Sequence, residues 1–102
     1  MKIRIKEIDG NIIVTLVGSF DTEAAREAEP ELESLYEVAK KDIIIDCTQM
    51  DYISSAALRI LLGLLQGQQE KKNGGQVFLK GVNEDVRHTF ILTGFYNIFQ
   101  FI

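Results

Sequence analysis

Two adjacent hydroxyl side chains, Ser54 and Ser55, stand where an apolar run gives way to a segment with helical periodicity. A serine at the start of a helix usually accepts a hydrogen bond from a free backbone N–H of the first turn. The same place suits a phosphate, because a dianion there meets free amides and the positive end of the helix dipole. The residues alone leave both roles open, a capping serine and a phosphoacceptor.

Three aspartates, Asp21, Asp46 and Asp51, fall at predicted strand ends or in the loop that follows. Three carboxylates can bind a divalent cation. No histidine accompanies them, however, and Asp21 and Asp51 have simpler roles as a helix cap or a solvated side chain. The chain also contains no glycine motif of the nucleotide-binding kinds. We therefore predict no metal ion and no cofactor.

The single cysteine and the single histidine, Cys47 and His88, could form a nucleophile and its general base. They lie far apart in sequence, and His88 stands on a predicted helix between Arg87 and Thr89. Cys47 follows a predicted buried strand, where a cysteine is most simply a small apolar side chain. We expect no catalytic residue, and a small hydrolase is the weakest of the functional hypotheses.

The elements that must position these residues begin with two strands. Lys2 to Ile8 alternates between apolar and charged residues, which is typical of a half-buried strand. Asp9-Gly10 predicts a tight turn into Asn11 to Val17, a strand that is apolar on both faces and should lie inside a sheet. Asp42 to Asp46 encloses a continuous isoleucine run, which predicts a central strand. Functional side chains tend to collect at the C-terminal ends of such strands.

Helical periodicity alternates with the later strands. It predicts one bent helix over about 23–39, with a kink or restart at Pro30. A buried stripe on this helix consists of Leu32, Leu35, Tyr36 and Ala39. The remaining predicted elements are a loop from Cys47 to Ile53, a helix from Ala56 to Glu70, a strand from Gln76 to Leu79, a helix from Glu84 to Thr93 capped by Asn83 and ended by Gly94, and a strand from Ile98 to Ile102. The order β-β-α-β-α-β-α-β predicts an α/β fold, a mixed sheet of about five strands with helices packed on it.

The helix after the serines carries apolar residues on two sides. Its predicted core face consists of Leu58, Leu61, Leu62 and Leu65. Ala56, Ile60 and Leu64 form a second line, roughly opposite part of that face. A helix on a sheet normally leaves its outer face in water, so we expect this line to be an exposed docking strip. The alternative is a helix that is buried on most sides.

The stretch from Ile43 to Leu62 resembles the signature of STAS domains, a module shared by bacterial anti-sigma factor antagonists and sulfate transporter tails. Further matches are Gly18-x-Phe20-Asp21 upstream, and Leu92-Thr93-Gly94-Phe95 with Ile98-Phe99 downstream. The resemblance implies the STAS fold over one domain, residues 1–102, and places the family's switch serine at Ser55. Many members carry an acid where this chain has Ser54, so Ser54 is the alternative phosphorylation site. The small-Gly pair that usually follows is here Ala56-Ala57.

The resemblance implies an anti-sigma factor antagonist, a partner-switching regulator of transcription that is not an enzyme. Its implied partners are an anti-sigma factor, which is a serine kinase of the histidine-kinase-like ATPase fold, and a serine phosphatase. Phosphorylation would switch the antagonist off. We expect the partner to contact Asp21, Asp51, Ser54, Ala56, Ile60 and Leu64. The alternative function is a STAS scaffold subunit of a lipid transport ATPase that is not phosphorylated.

A homodimer is a further prediction. Members of the family generally continue into a final helix, whereas this chain stops at Ile102. We therefore expect one face of the sheet to be less covered, which would leave apolar surface for a partner or a second copy. The aromatic residues predicted at the dimer contact are Phe95, Tyr96, Phe99 and Phe101.

The bulk properties agree with a small cytoplasmic protein. A length of 102 residues with 46% hydrophobic content suits one domain. The net charge of -4 disfavours nucleic acid as a partner. The first ten residues have neither the apolar run nor the small-residue cleavage site of a signal peptide, and a single cysteine forms no internal disulfide. The longest apolar stretch, Ile53 to Leu65, is too short and too polar to cross a bilayer.

Overall fold

The computed structural model describes residues 1–35, 42–70 and 74–102, which form five strands and three helices. The strands are β1 (Lys2–Ile8), β2 (Asn11–Phe20), β3 (Ile43–Ile53), β4 (Val77–Lys80) and β5 (Gln100–Phe101). The helices are α1 (Thr22–Glu33), α2 (Ser55–Glu70) and α3 (Glu84–Leu92). This is the predicted element order, β-β-α-β-α-β-α-β.

The sheet is mixed, as predicted, with the strand order β1-β2-β3-β4-β5. β1 and β2 pair antiparallel, from Lys2 opposite Val17 to Ile8 opposite Asn11. Asp9 and Gly10 form the two-residue turn between β1 and β2, and their positive φ angles of 53° and 82° are typical of such a turn. The later pairs, β2 with β3, β3 with β4 and β4 with β5, are parallel.

The helices cover one face of the sheet. From β2 onward each strand lies next to its predecessor, and right-handed crossovers then carry every helix to the same side. Burial alternates accordingly along β2, where Ile12, Val14 and Leu16 are buried and the residues between them are half-buried. The opposite face is therefore less covered, and its half-buried apolar residues include Ile44 and Phe78.

Two predicted boundaries near the serines are wrong. β2 continues past Val17 to Phe20, and β3 continues through the predicted loop, from Cys47 to Ile53. The two extensions pair with each other in parallel, up to Phe20 opposite Ile53, with register shifts after Thr15 and after Gly18. Gly18 has a φ angle of 101°, which favours glycine at this irregularity. Each extension supplies the other's backbone partners, so neither could be seen in its own sequence pattern.

Helix α1 continues through Pro30 to Glu33, so the structure has one helix across Pro30, as predicted, and no restart there. Pro30 is exposed and lies only three residues before the helix end, so its missing N–H removes one hydrogen bond and few residues follow it. Leu32 and Leu35 are buried, as predicted. The rest of the predicted stripe, Tyr36 and Ala39, lies outside the described residues.

Three of the four aromatic side chains predicted at a dimer contact, Tyr96, Phe99 and Phe101, pack in one cluster with Phe90. Phe90 of α3 makes edge-to-face contacts with Phe99 and Phe101, at ring-centroid distances of 5.4 and 5.3 Å. Tyr96 stacks on Phe101 at 5.0 Å. Phe99 is buried, and Phe95 and Phe101 are half-buried. These rings hold α3 against β5, which is shorter than predicted, and the homodimer stays a prediction.

Candidate functional site

Two helices begin side by side at the C-terminal ends of two neighbouring strands. β2 and β3 end in register, and the backbone N–H of Ser54 donates to the carbonyl of Phe20 at 2.9 Å. The chain turns into α1 directly after Asp21 and into α2 directly after Ser54. This is the edge of a parallel sheet where binding and catalytic groups usually collect. The pairing of β2 with β3 therefore brings Asp21 and Ser55 to the same end of the molecule.

Each of these helices has a side-chain cap. The amide of Ala24 donates to Oδ1 of Asp21 at 2.8 Å, and the amide of Ala57 donates to Oγ of Ser54 at 3.2 Å. Both caps use the residue just before the helix, where an oxygen acceptor stabilises the free amides of the first turn. Capping, one of the two roles predicted for the serines, is thus confirmed for Ser54.

The two serines differ in accessibility. Ser54 is only 7% exposed, and its hydroxyl is occupied by the cap. Ser55 is the first helical residue of α2, and its side chain is exposed. Its hydroxyl forms no hydrogen bond with any residue of the described ranges 1–35, 42–70 and 74–102. A hydroxyl in this state is open to a reagent or an enzyme without any change in the fold.

The three aspartates lie in different surroundings. Asp46 accepts from the hydroxyl and the amide of Thr48, at 2.7 and 3.0 Å. The hydroxyl contact is the main cause that holds the pKa of Asp46 below its ordinary value of 3.8. Asp51 lines a small depression with Asp85 of α3, so it lies beside α3. In the part of the chain that the structure describes, no three side chains of the metal-binding types are arranged to hold an ion.

The exposure predicted for the docking strip is wrong for two of its three residues. Leu64 is 1% exposed and Ile60 is 9% exposed, because α1 packs against this side of α2. Ala56 is half-buried. A charge at Leu64 would therefore enter the core, and such a variant cannot be expected to keep its fold.

A shallow depression between the two helices remains open, and we call it the α1/α2 groove. It is lined by Arg26, Glu29 and Glu33 of α1 and by Ala56, Arg59 and Ile60 of α2. Its floor is apolar, and charged side chains of both signs form its rim. A groove of this kind can receive an apolar side chain of a partner while the rim selects the partner's charge.

The sequence profile of the STAS domain matches residues 2–102. The chain belongs to the STAS domain family. The Bordetella bronchiseptica protein BtrV, assigned provisionally as an anti-sigma factor antagonist, is 33% identical over 97% of this chain and 84% of that protein. Family membership and fold class are thereby confirmed.

Solved structures share the fold of this STAS domain. An anti-sigma factor antagonist from Thermotoga maritima, also assigned provisionally, superposes with a TM-score of 0.84, at 21% identity, over 97% of this chain and 84% of that chain. The Bacillus cell fate determinant SpoIIAA in its phosphorylated form superposes with a TM-score of 0.74, at 13% identity, over 99% of this chain and 91% of that chain. Among the described residues of this STAS domain, no helix is long and apolar enough to span a membrane.

The hydrolase hypothesis finds no support in the surroundings of Cys47. The side chain is 1% exposed within β3, and its thiol faces the carbonyl of Ile45 at 3.6 Å. Burial, followed by the charge of Asp46, raises the pKa of Cys47 from 9.0 to about 12. The thiolate needed for nucleophilic attack is therefore absent near neutral pH. The burial of Cys47 confirms its interpretation as a core residue. His88 is exposed on α3.

Sequence reasoning missed the arginines of the STAS domain's groove. Arg26 and Arg59 are both exposed, and neither belongs to the quoted family signature as a functional residue. A signal was present for Arg59, which stands four residues after Ser55 on the same helix. For Arg26 there was none, because its position beside Ala56 depends on how α1 packs on α2.

Proposed function

We propose that this STAS domain is a cytoplasmic anti-sigma factor antagonist that is switched off by phosphorylation of Ser55. The observation that carries the proposal is the difference between the two serines. Ser55, at the family's switch position, is exposed with an unengaged hydroxyl, while Ser54 is buried and engaged as a cap. The name of BtrV supports the antagonist role, and the phosphorylated form of SpoIIAA supports phosphorylation within this fold.

The proposed partner is an anti-sigma factor of the histidine-kinase-like ATPase fold. In the unmodified state this partner docks on the starts of α1 and α2 and on the α1/α2 groove, and it releases its sigma factor. The STAS domain contributes no catalytic residue and needs no cofactor of its own. A serine phosphatase returns the modified protein to the binding state.

The phosphorylation step needs only the hydroxyl of Ser55 from this chain. The kinase transfers the γ-phosphoryl group of ATP to Oγ of Ser55, ADP leaves, and the hydroxyl proton passes to a base of the kinase. Exposure at the first position of α2 gives the kinase access without unfolding. Modification of Ser54 would instead require loss of its hydrogen bond to the amide of Ala57 and opening of the first turn.

The phosphate acts on binding through charge. It adds about -1.5 to -2 charges at neutral pH next to Ala56, on the surface where the partner docks. The complex would have to desolvate that charge, and carboxylates such as Asp21 at the neighbouring helix start repel it. A loss of ~3 kcal/mol in binding free energy lowers the affinity by roughly two orders of magnitude, which is enough for a switch.

The test is phosphorylation by the partner kinase, followed by mass spectrometry of the site. We expect one phosphate on Ser55 in the wild type and in Ser54→Ala, and none in Ser55→Ala. Ser55→Asp should bind the anti-sigma factor weakly, whereas Ser55→Ala should bind it in the presence of ATP. Phosphate on Ser54, or a folded protein that binds without being modified, would remove the switch and favour the scaffold function in a transport complex.

A further inference from the structure

Arg59 lies within reach of Ser55. The two residues are four positions apart on α2, so their side chains are neighbours on the same face of the helix. Helical side chains also point back toward the helix N-terminus, which directs a long side chain over the turn that precedes it. The guanidinium of Arg59 can therefore cover the first turn, where Ser55 stands. Both residues are exposed, so neither has to leave a packed site to meet the other.

Within the ranges that the structure describes, the guanidinium of Arg59 forms no ion pair. Among the described residues the ion pair that forms is between Arg87 and Glu84, at 3.5 Å, and Arg59 takes no part in it. Arg59 also makes no hydrogen bond within those ranges. Glu29 and Glu33 line the same groove, so carboxylates are nearby without contact at ion-pair distance.

A phosphate on Ser55 would attract the guanidinium of Arg59 more strongly than these carboxylates do. It has about twice the charge of a carboxylate at neutral pH and three oxygens that accept hydrogen bonds. The first turn of α2 contains no acidic residue that would compete for the guanidinium. Arginine is also well suited to the task, because its planar donors bind two phosphate oxygens at once.

We propose that Arg59 is the intramolecular partner of a phosphate carried by Ser55. N–H groups of the guanidinium donate to the phosphate oxygens, and the side chain swings from the rim of the α1/α2 groove to the first turn of α2. Phosphorylation then changes the docking surface in two ways, since it adds a dianion and removes a cation from the groove. This inference rests on the proposed phosphorylation of Ser55.

The experiment uses the full chain with phosphoserine encoded at position 55, so that no kinase is needed. The second pKa of the phosphate is measured by phosphorus NMR during a pH titration. Arg59 favours the dianion and lowers this pKa, so Arg59→Gln should raise it by about 0.2–0.4 units, as expected for one exposed pair at this spacing. Arg59→Lys should restore part of the shift. The shift should shrink in high salt.

Arg4→Gln is the matched control. It removes the same charge from β1, on the face of the sheet opposite the helices, and should leave the phosphate pKa unchanged. Circular dichroism confirms that each variant is folded. Equal pKa values in Arg59→Gln and Arg4→Gln would overturn the inference.

The outcome is separable from that of the proposed function. An Arg59-dependent pKa shift in a protein that the partner kinase never modifies would support the pairing of Arg59 with the phosphate and refute the phosphorylation switch. Modification by the kinase without an Arg59-dependent pKa shift would support the phosphorylation switch and refute the pairing of Arg59 with the phosphate.

Discussion

We expect Ser54→Ala to lower the free energy of unfolding and to leave phosphorylation intact. Ser55→Ala should abolish phosphorylation with little effect on that free energy. Ser54→Ala removes the oxygen that accepts from the amide of Ala57, and Ala57 is fully buried, so water cannot easily replace that acceptor. Loss of a helix cap with a buried donor costs about 1–2 kcal/mol. Ser55→Ala removes an exposed hydroxyl without a partner among the described residues, and such changes stay within about 0.5 kcal/mol.

Thermal and urea unfolding of the three proteins measure this difference. For 102 residues, an unfolding entropy of about 2.1 cal/mol/K per residue amounts to about 0.2 kcal/mol/K, so a loss of about 1.5 kcal/mol lowers Tm by about 7 °C. We expect that decrease in Ser54→Ala and a change of at most about 2 °C in Ser55→Ala. A Ser54→Ala protein as stable as the wild type, or a larger loss in Ser55→Ala, would refute the division of roles between the serines.

The remaining predictions concern two buried side chains. Leu64→Ala should cost about 2–5 kcal/mol in urea unfolding, because a 1% exposed leucine leaves a cavity, and a loss of under 1 kcal/mol would contradict its burial under α1. Cys47 should resist thiol reagents in the native protein at neutral pH and react once urea unfolds it, whereas rapid native labelling would contradict its raised pKa. Because that pKa is higher in the folded state, the contribution of Cys47 to stability is fully present below pH 9.0 and is lost as the pH rises toward about 12. Urea unfolding of the wild type and of Cys47→Ala at a series of alkaline pH values measures this loss.

Much of the site could be predicted because its parts depend on near neighbours in the chain. The aspartate cap of α1 and the asparagine cap of α3 each accept from an amide three residues away, Ala24 and Val86. The hairpin turn at Asp9 likewise depends on the backbone conformation of adjacent residues. The continuous apolar run before the serines correctly predicted a central strand, β3, although the structure covers only one of its faces with helices and leaves Ile44 on the other face half-buried.

The partner surface was harder to predict because it depends on packing between segments distant in sequence. An isolated α2 has two apolar sides, and nothing in its own pattern says which one a second helix will cover. The structure places α1 on the side of Ile60 and Leu64. What was expected as a strip of exposed apolar residues is therefore mostly core, and a narrow groove with charged rims remains.

The sequence by itself determined the family, the order of strands and helices, and the place where two hydroxyls meet a helix start. These features follow from local periodicity, from capping residues and from a contiguous family signature. Only the tertiary structure decided which serine is buried, how far β2 and β3 extend, and which arginines border the site. Those outcomes depend on pairing between Phe20 and Ile53 and on the contact of α1 with α2, which bring together residues more than 20 positions apart. Local patterns carry little information about such contacts, because each segment satisfies its own periodicity whichever neighbour it finally meets.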